Sequence, residues 1–141
     1  MIIAVDFDGT IVEHKYPRIG KEIPFAILTL KKLQEEHHRL ILWSVREGRL
    51  LEEATDFCRA RGLEFFAVNS NYPEESENED PHYSRKIKAD LFIDDRNLGG
   101  LPDWGVIYEM VRNNWSYPQY IKETESGKET EKRSFWDRLF G

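Results

Sequence analysis

Polar residues break the chain at regular intervals and leave four short, largely apolar runs: Ile2 to Val5, Leu40 to Trp43, Glu64 to Val68 and Ala89 to Ile93. Runs of this length, rich in Ile, Leu, Val and Phe, suit strands covered on both faces, as in a parallel sheet. Between the first two runs, Ile27, Leu30 and Leu33 recur at helical spacing, and Pro24 is a suitable opening residue because the first turn needs no donor from it. A second helix is predicted from Arg49 to Arg61, with Leu50, Ala54, Phe57 and Cys58 on its apolar side and Gly62 as its stop. A further helix follows the fourth run. The order strand, helix, strand, helix, strand, loop, strand, helix predicts an α/β fold with a doubly wound, mostly parallel sheet flanked by helices.

Two of the strands end in acid. Ile2 to Val5 runs into Asp6-Phe7-Asp8-Gly9-Thr10, and Ala89 to Ile93 runs into Asp94-Asp95. Ligands of parallel sheets bind at the carboxyl ends of the strands, where both pairs stand. Alternation along a strand puts Asp6 and Asp8 on one side, and Gly9 lets the backbone turn away. If the two strands are neighbours, up to four carboxylates converge. Such an all-oxygen set suits a hard cation, above all Mg²⁺. One acidic pair alone would read as an ordinary cap or turn; two in equivalent places point to catalysis.

In these residues the chain resembles the haloacid dehalogenase (HAD) superfamily. Asp6 to Thr10 is similar to its first motif, Leu42-Trp43-Ser44 to its second and Asp94-Asp95 to its fourth, over about residues 1 to 112. The third motif needs a basic residue just before the fourth. Arg85-Lys86-Ile87-Lys88 offers Lys86, with Lys88 as the fallback. The resemblance implies a Rossmann-like core. Only a flap at residues 12–22 and a loop at residues 69–84 occupy the places where the superfamily inserts caps, so a capless member is expected.

The chemistry expected of these residues is phosphoryl transfer. Asp6 attacks phosphorus to form an aspartyl-phosphate, and Mg²⁺ held by Asp6, the Asp8 carbonyl and Asp94 offsets the charge. Asp8 serves as general acid and then as general base, an identity that argues for phosphate esters over carbon–halogen bonds. Ser44 donates a hydrogen bond to the phosphoryl group, and Lys86 adds a positive charge. Asp95 is expected to orient Asp94 or to act through water. Gly9 and Thr10 complete the turn. Arg46, Asn69 and His14 are candidates for substrate contact, and Asn97 for holding Asp94 or a metal water. Turn chemistry accounts equally well for Asn69, and a solvated flap for His14.

Composition narrows the partners. The 141 residues suffice for one domain with a real core, and the net charge of −6 argues against nucleic acid. The lone Cys58 excludes an internal disulfide and reads as a packed thiol. With no basic leader and no apolar run of membrane length, a cytoplasmic protein without membrane contact is expected. Residues 1–117 form the predicted catalytic core. Residues 118–141 form a charged linker and a short amphipathic helix at Ser134 to Phe140, whose Phe and Trp require burial on the core or in a homo-oligomer.

The expected function is therefore Mg²⁺-dependent hydrolysis of a phosphomonoester, either a small phosphorylated molecule or a macromolecule admitted by the open site. The alternatives are a nucleotide or nucleic-acid-end phosphatase, and a protein that binds a phosphorylated ligand without turnover.

Overall fold

The structure, a computed structural model, describes residues 1–125. Four strands, β1 (Ile2–Val5), β2 (Arg39–Leu42), β3 (Ala67–Val68) and β4 (Leu91–Ile93), form one all-parallel sheet in the order β3-β2-β1-β4. Helix α1 (Ala26–Glu35) connects β1 to β2, and α2 (Gly48–Ala60) connects β2 to β3; the link from β3 to β4 has no helix, and α3 (Trp104–Asn113) follows β4. The architecture is α/β and consistent with a Rossmann-like fold. It divides into two compact units, one spanning Met1–Trp104 and the other beginning at Gly105.

The central strands are buried as their composition requires. Ile3, Ala4 and Val5 of β1 and Leu40, Ile41 and Leu42 of β2 are almost wholly excluded from water. Ala4, Ile41 and Ala67 pack with Ile87, which lies on the approach to β4. Ile27, Leu30 and Leu33 are buried on α1, and Ala54 and Cys58 on α2. Burial pushes the Cys58 thiol up to about 12, leaving it a packing group with little thiolate.

Element ends differ from expectation for local reasons. Helix α1 starts at Ala26 because Phe25 adopts a left-handed φ of 68°, and the Glu22 carboxylate accepts the free Ile27 N–H at 3.2 Å. Helix α2 ends as predicted, with Gly62 at a φ of 80° and the Leu63 N–H closing on the Cys58 carbonyl. Strand β3 keeps two residues of an expected five, since the Glu64 carbonyl bonds the Gln34 side chain and Phe66 packs its ring beneath Arg39.

In the second unit, Ser116 caps a helical stretch over residues 117–125. Its hydroxyl accepts from the Gln119 N–H while the Gln119 side chain takes the Ser116 N–H, a reciprocal capping box. The expected linker thus begins as helix. The amphipathic segment at Ser134 to Phe140 lies outside the described residues. Among the described residues no helix is long and apolar enough to cross a membrane.

Candidate functional site

The pairing of β1 with β4 brings the two acidic strand ends together. Val5 pairs with Ile93, and the Asp6 N–H bonds the Ile93 carbonyl at 3.0 Å, so the chain leaves the sheet at Asp6 beside Asp94. One carboxylate oxygen each from Asp6, Asp94 and Asp95 lies within 4.8 Å of the others. Thr10 knits the cluster from below. Its buried hydroxyl sits 3.3 Å from Asp6 Oδ2 and 3.4 Å from Asp95 Oδ1, and accepts the Asp95 N–H at 3.1 Å. The Thr10 carbonyl in turn accepts the Trp104 indole N–H at 3.1 Å. Gly9 is required twice over: its φ is +84°, and a Cβ there would collide with the Asp95 carboxylate.

Burial, a hydrogen bond with Asp95 and the charge of Asp94 together push the Asp6 carboxyl from 3.8 up to about 7. Three oxygen donors that repel one another at this spacing fit a divalent cation, whose charge would relieve the repulsion. Asp6, Asp94 and Asp95 are the side chains that would hold it. Asp95 is thus a direct candidate, beyond the orienting role expected for it.

The sign of the Asp6 shift sets a pH dependence. Below about 7 a proton competes for Asp6, so affinity for a divalent cation held there, tested with Mg²⁺, is expected to rise with pH by up to about tenfold per unit between pH 5 and 7 and to level off above. Titration calorimetry in two buffers of different protonation enthalpy checks this. A Kd flat across that range would contradict a ligand role for Asp6.

Asp8 occupies a different environment. Its carboxylate is 7% exposed and engages Arg46 in a bidentate pair, Nε to Oδ2 at 2.7 Å and Nη2 to Oδ1 at 2.8 Å. Arg46, only 1% exposed, also donates to the carbonyls of Pro17, Arg18 and Leu50 at 3.2, 3.0 and 3.3 Å. Each of its five N–H groups therefore has an acceptor. Its guanidinium also stands 5.1 Å from the Phe7 ring centre and 5.3 Å from that of Tyr16. Arg46 is thus no surface contact for substrate. It ties Asp8 to the flap and to the start of α2.

Ser44 faces the same cavity and is held by two neighbours. Its N–H bonds Asn69 Oδ1 at 2.8 Å, and its hydroxyl accepts the Arg46 N–H at 3.1 Å. Asn69, at a φ of 52° just past β3, also donates from Nδ2 to the Arg46 carbonyl at 3.4 Å. Asn69 therefore shapes the turn that carries Ser44. The side chain of Asn97 reaches the Phe92 carbonyl at 3.5 Å, so it braces the strand end and makes no contact with the Asp94 carboxylate.

A cavity of about 560 Å³ opens above the cluster, bounded by Asp6, Asp8, Asp94, His14, Tyr16, Trp43, Ser44, Val45 and Arg96. His14 is therefore at the site. Lys86 and Lys88 are not: both are exposed, Lys86 Nζ lies 5.4 Å from the Phe92 ring centre, and Lys88 Nζ bonds the His82 carbonyl. The cause is Ile87, whose burial in the core leaves its two neighbours facing water. The cation that does line the cavity is Arg96, two residues past Asp94, a position not singled out from the sequence although it follows a strand end.

Neither the scan against protein-family models nor the search of curated proteins found a match. Among solved structures, a conserved protein from Bacteroides thetaiotaomicron is 68% identical, over 84% of this chain and 95% of that one, with a TM-score of 0.80. The chain belongs to the family of that conserved protein. At this identity the likeness extends beyond the fold to the sequence that builds it.

Proposed function

We propose that the protein is a capless, Mg²⁺-dependent phosphomonoester hydrolase of the HAD type. The observation that supports this most strongly is the meeting of Asp6 with Asp94 and Asp95 at adjacent parallel strand ends, where Asp6 and Asp94 border a cavity large enough for a small ester. Mg²⁺, when bound by these three carboxylates, would offset the charge of the phosphoryl group and of Asp6. Asp6 attacks phosphorus in line, the bond to the leaving oxygen breaks, and an aspartyl-phosphate forms. Ser44 donates to a phosphoryl oxygen. Arg96, in place of Lys86, supplies the fixed positive charge.

Asp8 passes the proton to the leaving oxygen and later takes one from the attacking water. Each Asp8 oxygen accepts one N–H from Arg46, so the transferred proton must use the second lone pair of an oxygen that the guanidinium already holds. That same pair favours a second reading, in which the site binds a phosphorylated ligand and Asp8 is purely structural.

Phosphate release from a broad panel of phosphomonoesters separates the two. Turnover with Mg²⁺ that ceases on chelation and returns on re-addition is the expected result. A folded protein that binds Mg²⁺ yet releases phosphate from no member of the panel would favour the binding reading.

A further inference from the structure

We infer that the cavity is built for a phosphomonoester whose leaving group carries a flat ring, held by Tyr16 and Trp43. This rests on the proposal that the acidic floor receives the phosphoryl group, and it adds the class of substrate. Apart from the acids and Ser44, the cavity walls are Tyr16, Trp43 and Val45, with His14 and Arg96 also bordering it. Tyr16 is 46% exposed and Val45 80% exposed, a concentration of unburied apolar surface in one concavity next to charged groups. Aromatic faces attract flat rings beyond their simple area of contact.

The walls are positioned in advance. The Trp43 N–H bonds the Val5 carbonyl at 2.8 Å, so its backbone continues the β1–β2 ladder one residue past the strand end. Tyr16 stands on the flap, closed at its base by the Glu13 N–H to the Lys21 carbonyl at 2.7 Å and by Gly20, where a Cβ would strike the Glu13 carbonyl. Arg46 fixes the flap from beneath through the Pro17 and Arg18 carbonyls and lies against the Tyr16 ring. Val45 projects outward because its neighbour Arg46 is drawn inward. A site with fixed walls loses little freedom on binding, so a matching ring is favoured over a flexible chain of equal size. The volume of about 560 Å³ accommodates a phosphate and one or two fused rings.

The test compares benzyl phosphate with cyclohexylmethyl phosphate. Both leave as primary alkoxides of similar size, so the chemical step is alike and only the flatness of the ring differs. The corresponding phosphonates, which cannot be hydrolysed, report binding alone, measured with Mg²⁺ present.

The benzyl compounds are expected to be favoured about threefold to tenfold in both Kd and kcat/KM, with the difference in KM. Trp43→Ala and Tyr16→Ala should each shrink that ratio toward one, while Trp43→Phe and Tyr16→Phe keep most of it. Equal treatment of the two rings by the intact protein would overturn the inference, as would a ratio unmoved by both alanine variants or no binding of either phosphonate. Hydrolysis of both esters at equal rates would sink the ring preference and leave the hydrolase standing. Ring-selective phosphonate binding without turnover of either ester would do the reverse.

Discussion

Asp6→Asn is expected to abolish the proposed phosphate release and at the same time to make the metal-free protein harder to unfold. The loss of turnover should be on the order of a thousandfold or more, since an amide neither attacks phosphorus nor forms the covalent intermediate. The gain in stability follows from the environment of the carboxyl. Burial and two acidic neighbours push Asp6 up to about 7 from 3.8, so in the folded state the proton is held more tightly than in the unfolded chain. A raised pKa contributes stability that is complete below about 4 and is lost as pH rises through about 7. Asparagine is neutral throughout and avoids that loss. At pH 8 without metal the variant should exceed the parent by about 1–2 kcal/mol after solvent screening, which is several degrees in Tm. At pH 4 the two should melt together.

With Mg²⁺ as the proposed ligand of this cluster, adding it should reverse the order, because only the parent retains all three carboxylates. Melting curves at both pH values, with and without Mg²⁺, check each element of this. A variant no more stable than the parent at pH 8 would mean that the repulsion at the strand ends is relieved in some other way. Residual turnover within tenfold of the parent would remove Asp6 from the role of nucleophile.

The parts of this molecule legible in its sequence are those governed by one short-range rule. Short apolar runs bounded by turn residues read as covered strands, and the carboxylates that follow them emerge at the sheet's edge, so the places of Asp6 and Asp94 are legible in the sequence. Of the seven helix positions read from the period, Ile27, Leu30, Leu33, Ala54 and Cys58 are buried, and Leu50 and Phe57 are half-buried. What escaped prediction depends on which side chain wins a shared interior. An arginine after a strand looks like a surface cation. Arg46 is interior only because two carbonyls from the distant flap, the nearby Leu50 carbonyl and a carboxylate meet around it. Lys86 and Lys88 sit at a suitable spacing from Asp94, but spacing along an irregular approach says little about direction, and there the apolar Ile87 decided it. Tyr16 and Trp43 read as parts of a flap and a strand, and their common cavity depends on how the flap folds back.

Arg46→Met is the substitution expected to damage the fold most. It strands the buried Asp8 carboxylate and takes from the Pro17 and Arg18 carbonyls of the flap the donor that Arg46 supplies. Removing one partner of a buried ion pair costs about 3–5 kcal/mol, chiefly because the remaining charge has nowhere to go. For a chain of this size that corresponds to a fall in Tm of roughly 10 °C or more. Arg46→Lys keeps the charge but has three donors on one nitrogen in place of a planar fork, so it should recover only part of the loss.

The double variant Arg46→Met with Asp8→Leu is the informative one. It removes the unpaired charge, and if the ion pair were all that Arg46 supplied, stability would return to the parent's level or above. The structure predicts an incomplete return, because the two flap carbonyls still lack this donor at about 1 kcal/mol each. Thermal melts of the four proteins complete the cycle, and hydrogen exchange at the Arg18 amide, which bonds the Lys15 carbonyl, reports the flap separately. Exchange there should quicken in both Arg46→Met proteins and stay slow in the parent. A single variant that melts within about 2 °C of the parent would show that Arg46 is not the tie between Asp8 and the flap.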